Sequence, residues 1–204
     1  MRSSLTIIAL TGGIATGKST CCSVLRELLP ELVVFDADQS VASLYQDSQV
    51  IEEIGDEFGD IVYDEKGGIN KAWLRERAFG DLNVRRFLEQ IFHPRVRQEC
   101  LALLEREDKY PSSRLFVADI PLLFESGFDF GQSANLLVAT SRETQIDRLK
   151  NRSGWDDDRV EAVLSSQMPI DAKFTLADIV FWNEGPEPML RNQCHRFLQS
   201  ITDL

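Results

Sequence analysis

Five short and nearly continuous apolar runs stand out along the chain, and segments with helical periodicity separate them. The runs are Leu5–Leu10, Leu32–Phe35, Leu115–Ala118, Asn135–Ala139 and Ile179–Trp182. Runs of this length without polar alternation are typical of strands that are buried on both faces, as in a parallel sheet covered by helices. The order of the elements therefore predicts an α/β fold with a five-stranded parallel sheet and helices on both faces.

Two of the segments between these runs are longer than a single crossover helix requires. The first, between the second and third predicted strands, contains helical patterns at Asn70–Phe79 and Leu82–Ile91. A further helix is predicted to start at Pro94, because proline suits the first position of a helix. The second long segment is Ser141–Ala177. Both segments are expected to be insertions into the α/β core.

The length of 204 residues fits one large domain, or one core with small insertions. No stretch approaches the roughly 18 apolar residues that a membrane span needs. The run Leu5–Leu10 is too short for a signal peptide and continues into Thr11-Gly12-Gly13 without a cleavage site. We interpret it as a buried strand, and we expect a cytoplasmic protein with no membrane partner.

The charge of the chain is strongly acidic, with a net value of −11. This argues against a nucleic-acid partner, which requires a basic surface. Residues 71–97 depart from the average, with seven basic residues against Glu76, Asp81 and Glu89, a local balance of +4. The basic residues are Lys71, Arg75, Arg77, Arg85, Arg86, Arg95 and Arg97. This segment either binds an anionic ligand or forms ordinary solvated helix faces.

The four cysteines, Cys21, Cys22, Cys100 and Cys194, show no CxxC spacing. They match neither a disulfide framework nor a zinc site. Cys21 and Cys22 are expected in the first turns of a helix, where the helix dipole lowers a thiol pKa. A redox role for this pair and simple packing are both open at this stage.

A glycine-rich loop follows the first predicted strand and fits the pattern GxxxxGK[ST], from Gly12 to Ser19. Glycines allow a tight turn in which successive N–H groups point into one concavity and hold phosphate oxygens. Lys18 has the reach to contact the β- and γ-phosphates of a nucleotide, and the Ser19 hydroxyl suits Mg²⁺. A helical run, Lys18–Leu29, follows the loop and places a helix N-terminus against the phosphates. The alternative is a glycine-rich turn without a ligand.

Acidic residues end the second and third predicted strands. Asp36 and Asp38 flank the end of the second strand and share a side if the strand pattern continues. One of them could accept the proton of an attacking hydroxyl, and either could hold a magnesium-bound water. The alternative for Asp38 is a helix N-cap. Asp119 suits a Walker B acid that orders magnesium through water, or else a turn acid before Pro121.

With these features together, the chain resembles the dephospho-coenzyme A kinase family along nearly its whole length. The matching motifs are Leu10–Thr20, Asp36-Ala37-Asp38, Asp56-Glu57-Phe58-Gly59 with Gly68 and Leu74-Arg75, His93-Pro94, Asp119–Glu125, Gln145 with Arg148 and Arg152, Gln167-Met168-Pro169, Lys173, Ala177-Asp178 and Asn183-Glu184-Gly185. The segment from Pro121 to Glu125, PLLFE, is the most specific of them.

The resemblance implies a P-loop NTPase fold and Mg²⁺-ATP-dependent phosphorylation of the ribose 3′-hydroxyl of dephospho-coenzyme A, the last step of coenzyme A biosynthesis. It implies a core at 1–37, 110–140 and 178–204, a substrate subdomain at about 38–109 and a lid at about 141–177. The expected catalytic residues are Asp38, as the base, and Lys18. The expected ATP contacts are Gly13, Ile14, Ala15, Thr16, Gly17, Lys18, Ser19, Thr20, Arg148 and Arg152. The expected substrate contacts are Thr11, Asp36, Arg75, His93, Leu122 and Glu125, and the expected metal contacts are Ser19 and Asp119.

Three positions depart from the family pattern. Ala15 stands where many members have glycine, Val163 replaces an arginine, and Asp47-Ser48 replaces a Pro-Gly pair. The change at Val163 puts one contact between lid and nucleotide in doubt.

Three other classes of protein share some of these features. Shikimate kinase also combines a phosphate loop with a DxD motif, but its Gly-Gly-Gly substrate loop has no counterpart here. A switch GTPase needs an NKxD motif, of which Asn70-Lys71-Ala72-Trp73 carries only the first half. A purely structural interaction protein does not require Lys18 and Ser19 in register with the glycines.

Overall fold

A five-stranded, all-parallel sheet forms the centre of the fold. The computed structural model describes residues 5–109 and 113–202, so residues 1–4, 110–112 and 203–204 of the predicted core lie outside the described part. The strands are β1 (Thr6–Gly12), β2 (Val33–Asp36), β3 (Leu115–Asp119), β4 (Ala134–Ala139) and β5 (Ile179–Trp182). Their order in the sheet is β2-β3-β1-β4-β5. The five predicted strands are confirmed, and β2 and β3 each extend to include the terminal aspartate.

Ten α-helices and one 3-10 helix connect the strands in the described residues. They are α1 (Lys18–Leu28), α2 (Ala37–Leu44), α3 (Ser48–Phe58), the 3-10 helix Gly59–Val62, α4 (Lys71–Gly80), α5 (Leu82–Lys109), α6 (Leu123–Ser126), α7 (Arg142–Ser153), α8 (Asp157–Ser165), α9 (Ile170–Leu176) and α10 (Glu187–Thr202). Within that part of the chain, every helix is too short or too polar to cross a lipid bilayer.

Both faces of the central strands are buried, which explains their continuous apolar sequences. On β3, for example, Leu115, Phe116 and Val117 are all at most 1% exposed although they alternate between the two faces. One face packs against α1 and α10 through Leu25, Cys194 and other apolar side chains of a single cluster. At about 25 cal/mol per Å² of buried apolar surface, this cluster supplies the main driving force for folding of the sheet.

The chain divides into two compact units, Met1–Asp36 with Leu103–Leu204, and Ala37–Ala102. We call them the core unit and the helical unit. The division falls within α5, so the last part of this helix belongs to the core unit rather than to the insertion. Residues 141–177 do not separate from the core unit.

The helical unit has its own apolar core, which includes Val50, Ile54 and Leu74, each fully buried. Polar contacts also link its helices. The Arg95 guanidinium donates to Glu53 Oε1 at 2.6 Å, and Ser40 Oγ donates to Glu99 Oε2 at 2.6 Å. Its architecture is helical, as predicted, apart from one isolated antiparallel bridge between Tyr63 and Ile69.

The prediction of a new helix at Pro94 is wrong. The proline lies inside α5, a single helix of 28 residues. A proline inside a helix removes one N–H donor and crowds the preceding turn. The carbonyl oxygen of Gln90 therefore receives no N–H from Pro94, while at the adjacent position of the turn Arg95 Nη1 donates to the carbonyl oxygen of Ile91 at 2.9 Å.

The expectation of a lowered thiol pKa at Cys21 and Cys22 is also wrong. Both residues lie in the first turns of α1, but all four cysteines are buried and free. The sulfur contact with Cys194, 3.8 Å away, and burial raise the pKa of Cys21. Burial, followed by the negative charge of Asp119, raises the pKa of Cys22. Desolvation thus outweighs the helix dipole, and packing is the reading that the structure favours.

Candidate active site

The glycine-rich loop joins β1 to α1, at the carboxyl edge of the sheet. Gly17 has φ +95° and Ala15 has φ +60°, both in the left-handed region. A Cβ atom on Gly17 would lie 2.2 Å from Asn183 Nδ2, so glycine is required there by both backbone and space. Left-handed backbone costs a non-glycine residue roughly 1–2 kcal/mol, and Ala15 carries that strain in this loop.

Three side chains hold the loop by its carbonyl oxygens. Gln145 Nε2 donates to Ile14 O at 2.7 Å, Arg148 Nη1 to Ala15 O at 3.1 Å, and Asn183 Nδ2 to Thr16 O at 2.9 Å. In a trans peptide the following N–H points away from the carbonyl. The N–H groups of Ala15 and Gly17 therefore point to the side opposite these anchors, as a phosphate-binding concavity requires.

The helix after the loop contributes further donors. Its first backbone bond within the described residues runs from Cys21 N to Gly17 O at 2.9 Å. The N–H groups of Lys18, Ser19 and Thr20 therefore precede the first helical hydrogen bond and remain available to an anion. The side chains of Ser19 and Thr20 are exposed. Thr16 is buried, and its hydroxyl donates a hydrogen bond to Gly13 O at 2.8 Å.

An ion pair joins the loop to the neighbouring strand. Lys18 Nζ contacts Asp119 Oδ1, and both side chains are largely buried. Asp119 also lies opposite Asp36 in the register of β3 and β2, so the two carboxylates leave the same face of the sheet. Asp119 is thus the last residue of a strand rather than a turn residue, and its position is that expected of a Walker B acid.

A magnesium ion fits the donors found here. Mg²⁺ usually takes one or two protein oxygens and completes its shell with water and phosphates. The exposed Ser19 hydroxyl and the Asp119 carboxylate are donors of that chemistry. No group of three or more His, Cys, Asp or Glu side chains suited to a metal occurs in the described residues. The ion would accordingly be held together with the nucleotide.

Asp38 lies in the first turn of α2, in the helical unit, directly after the end of β2. The helix begins at Ala37, so the N-cap position is that of Asp36 and Asp38 lies two residues beyond it. The expectation that Asp36 and Asp38 share a side by strand alternation is wrong for the same reason, since the strand ends at Asp36. The Asp38 side chain is exposed, and within residues 37–102 its carboxylate accepts no hydrogen bond.

The segment after β3 carries two of the expected substrate contacts, Leu122 and Glu125, and is bonded by a third, Thr11 of β1. The Thr11 side chain is fully buried and donates to Pro121 O at 3.1 Å, so it holds this segment. Leu122 is 44% exposed. Glu125 Oε1 accepts from Met168 N at 3.0 Å and lies 2.8 Å from Lys173 Nζ.

The two arginines of the predicted lid lie on α7, one helical turn apart. Arg148 donates to the carbonyls of Ala15, Thr16 and Asn183, while Arg152 is exposed. The start of α7 is fixed by Glu184, whose carboxylate accepts from Thr140, Ser141 and Thr144. These contacts lower the pKa of Glu184 to about 2, and the hydrogen bond from the Ser141 N–H has the largest effect.

In the helical unit, several basic side chains are already engaged. Lys71 lies over the Tyr45 ring at 4.8 Å, Arg77 over Trp73 at 5.5 Å, and Arg95 pairs with Glu53. The side chains of Arg75, Arg86, His93 and Arg97 are exposed. Arg86, His93 and Arg97 are spaced by seven and four residues on α5, so they form a stripe on one helix face.

Sequence reasoning gave no role to four residues that the structure ties to the loop. Gln145, Gln167 and Asn183 bond its backbone directly, and Glu184 anchors the helix that carries Gln145 and Arg148. Their presence in the family-like motifs was the only signal, because amide side chains far apart in sequence have no periodic pattern.

Comparisons with known proteins agree with this geometry. The family model described as dephospho-CoA kinase matches residues 6–188. A dephospho-CoA kinase of Syntrophotalea carbinolica is 35% identical over 191 residues, covering 92% of this chain and 88% of the relative. The solved structure of the dephospho-CoA kinase from Campylobacter jejuni matches with a TM-score of 0.72 and 26% identity, over 97% of each chain.

A shikimate kinase from Bacteroides thetaiotaomicron has a TM-score of 0.52 and 16% identity, over 98% of this chain and 99% of that protein. This likeness extends to the fold alone. The specific match in sequence and the placement of the loop residues lead to one conclusion: the chain belongs to the dephospho-CoA kinase family.

Proposed function

We propose that this protein transfers the γ-phosphoryl group of Mg²⁺-ATP to the ribose 3′-hydroxyl of dephospho-coenzyme A and releases coenzyme A and ADP. The observation that carries the proposal is the family match over residues 6–188. The loop at residues 12–20, with its carbonyls anchored and its N–H groups available, supports the nucleotide half of the reaction.

Lys18 and the loop N–H groups have one task, which is to bind the β- and γ-phosphates. In the structure Lys18 is paired with Asp119, so the carboxylate holds the ammonium near the loop before nucleotide arrives. A cation that is already in place needs little rearrangement to stabilise the negative charge on the phosphoryl group during its transfer. Mg²⁺, when bound with ATP beside Ser19 and Asp119, neutralises charge between the phosphates.

Asp38 is proposed as the residue that orients the acceptor hydroxyl and takes its proton. Phosphoryl transfer has a loose transition state, in which positioning of the attacking oxygen matters more than early deprotonation. An exposed carboxylate with no hydrogen bond inside its own unit has its acceptor positions free for a substrate hydroxyl. Asp36, half-buried beside Asp119, suits the water shell of the metal or the substrate ribose.

The helical unit is proposed as the substrate subdomain and residues 141–177 as the lid. The exposed stripe of Arg86, His93 and Arg97, together with Arg75, supports binding of a polyphosphate-containing acceptor. The proposal includes a cytoplasmic location, in keeping with four free, buried cysteines, since thiols stay reduced in that compartment. With a net charge of −11, neither a nucleic-acid nor a membrane partner is part of the proposal.

The test is a coupled assay of ADP release with Mg²⁺-ATP and one acceptor at a time: dephospho-coenzyme A, shikimate, AMP or none. We expect turnover only with dephospho-coenzyme A, and NMR of the product should place the new phosphate on the ribose 3′ oxygen. A Lys18→Met variant, purified in parallel, controls for contaminating kinases. Equal or faster turnover of shikimate or AMP would refute the proposal.

A further inference from the structure

Lys173, on α9, is a lysine in an unusual setting. Its side chain is 0% exposed, and its ammonium nitrogen lies 2.8 Å from Glu125 Oε1, where 21% of the Glu125 side chain is exposed. The direction of approach is outside the range of a hydrogen bond, and no other described residue provides an acceptor for Lys173 Nζ. The pair is therefore held mainly by charge.

A pair of this kind is costly to maintain. Removing an ammonium group from water carries a penalty of several kcal/mol, and apolar residues of similar volume often replace buried ion pairs without loss of stability. Stability alone thus gives no reason for a lysine at this position.

The neighbours of Glu125 lead back to the glycine-rich loop. The oxygen that faces Lys173 also accepts the N–H of Met168 at 3.0 Å. The preceding residue, Gln167, accepts the Ile14 N–H through its side chain at 2.9 Å. A continuous series of contacts therefore runs from Lys173 through Glu125 and the Gln167-Met168 segment to the loop.

Packing does not hold this segment in place by itself. A cavity of about 120 Å³ lies beside it, lined by Gly13, Gln145, Gln167, Met168 and Pro169 among others. Side chains next to such a space lack packing contacts on that side. The polar contacts of Met168 and Gln167 therefore act as restraints on the segment, beside the backbone bonds Gln167 N to Leu164 O and Lys173 N to Pro169 O.

We propose that Lys173 is a positioning residue for the nucleotide loop. Its charge holds the Glu125 carboxylate on the Met168 N–H, and this keeps Gln167 aligned with the Ile14 N–H. Gln145 holds the Ile14 carbonyl, so both peptide groups of Ile14 are fixed on the side away from the phosphates. The inference rests on the proposed function only in that the loop binds the phosphates of ATP.

The first test is Lys173→Met, with binding of Mg²⁺-ADP measured by calorimetry and exchange of the Ile14 amide measured by NMR. We expect the Kd for Mg²⁺-ADP to rise at least about 5-fold and the Ile14 amide to exchange at least about 10-fold faster, with a higher KM for ATP and little change in kcat. The matched control is Arg191→Met, which removes an exposed pair between α10 and Glu27 on α1, outside the loop and the proposed lid, and should leave all these quantities unchanged.

Two double variants avoid a lone buried charge and keep the test decisive if Lys173→Met does not fold. Lys173→Met with Glu125→Gln retains an acceptor for the Met168 N–H and should bind Mg²⁺-ADP nearly as the wild type does. Lys173→Met with Glu125→Ala removes the acceptor and should bind at least about 5-fold more weakly. Equal affinities in the two double variants, or a Lys173→Met protein with a lower Tm but normal Kd and Ile14 exchange, would overturn the proposal. Neither readout involves the acceptor, so a wrong assignment of dephospho-coenzyme A would leave this test unaffected.

Discussion

At the scale of single residues, the proposed chemistry depends on which contacts are already made by the carboxylates at the ends of β2 and β3 and by Asp38, two residues after β2. Asp119 is engaged by Lys18, and Asp36 lies beside it in the sheet. Asp38 instead lies in the first turn of α2, where its side chain is exposed and is not the N-cap of the helix. Of the three, it is the one with free acceptor positions in its own unit, and the base is assigned to it for this reason.

We expect Asp38→Asn to lower kcat by at least about 10², because general-base assistance is typically worth about 10²–10⁴ in rate. ATP affinity and the thermal melt should change little, since the amide keeps the shape and one acceptor. The matched control is Asp47→Asn, because Asp47 is a true N-cap, accepting from the N–H groups of Gln49 and Val50, and asparagine caps as well as aspartate. Steady-state kinetics of a folded Asp38→Asn enzyme with wild-type kcat would rule out Asp38 as the base.

Lys18→Ala should abolish both ATP binding and turnover, because the same cation serves the ground state and the transition state. The variant should also lose stability without nucleotide, by about 1–3 kcal/mol, since the largely buried Asp119 carboxylate loses its contact with the Lys18 ammonium. Urea unfolding and calorimetric titration with ATP measure the two effects. A variant that kept near-normal kcat would contradict the role of Lys18.

At the scale of elements, helix α7 holds the glycine-rich loop in place. Gln145 and Arg148 hold loop carbonyls, and Glu184 holds the first turn of the helix. Movement of the whole of α7 on nucleotide binding, as part of a lid at 141–177, would break these contacts together. Gly154, with φ +64° at the C-cap of α7, is a better hinge, with α8 following it.

Hydrogen exchange with and without an ATP analogue tests this placement of the hinge. Amides of residues 145–149 should be protected in the free enzyme, and protection gained with the analogue should concentrate in residues 154–169. Closure would exclude water from the phosphates and limit ATP hydrolysis. If the amides of residues 145–149 exchanged fast in the free enzyme and slowly with the analogue, α7 itself would be the part that moves.

Glu184 should make stability dependent on acid pH. Its pKa is lowered to about 2 in the folded protein from an ordinary value of 4.5, so its contribution is fully present above about pH 4.5 and is lost as the pH falls toward 2. The free energy of unfolding of the wild type, measured with urea, should approach that of Glu184→Gln over this interval. If the difference in free energy of unfolding between the two proteins stayed constant from pH 5 to pH 2, the charge of Glu184 would have no part in the stability of the fold.

At the scale of the whole molecule, charge is distributed unevenly. The protein has a net charge of −11, and yet residues 71–97 carry a surplus of positive charge. Of these basic residues, Lys71 and Arg77 are exposed but lie over aromatic rings, Arg95 pairs with Glu53, and Arg85 donates to Ala78 O at 3.3 Å. The exposed residues Arg75, Arg86 and Arg97 are the ones that we expect to attract a polyanion through solvent.

The KM for dephospho-coenzyme A should therefore rise severalfold between 0.05 and 0.5 M KCl, while kcat changes less, since salt screens charges on surfaces. Replacement of Arg86 and Arg97 by glutamine should raise the KM at low salt and flatten its salt dependence. Glutamine at Arg114, an exposed arginine of the core unit, serves as the control. An unchanged salt dependence in the double variant would exclude this stripe from substrate attraction.

The sequence by itself determined the parts of this protein that depend on local pattern. Continuous apolar runs specified five strands buried on both faces, and the spacing of Gly12, Gly17, Lys18 and Ser19 specified the phosphate loop. Both follow from short-range physics: burial requires apolar side chains, and a tight anion-binding turn requires glycine. Pro94 shows the limit of such reasoning, because local preference favoured a helix start and the packing of α5 overrode it.

Only the tertiary structure decided which groups support the loop and which remain free. Gln145, Gln167 and Asn183 approach Ile14 and Thr16 across more than 130 positions of sequence, and no periodicity encodes such a contact. The same holds for the buried charge of Lys173, whose partner Glu125 is set by the packing of α9. Hydrogen bonds and ion pairs act through distance and angle in space, so their partners are known only once the chain has folded.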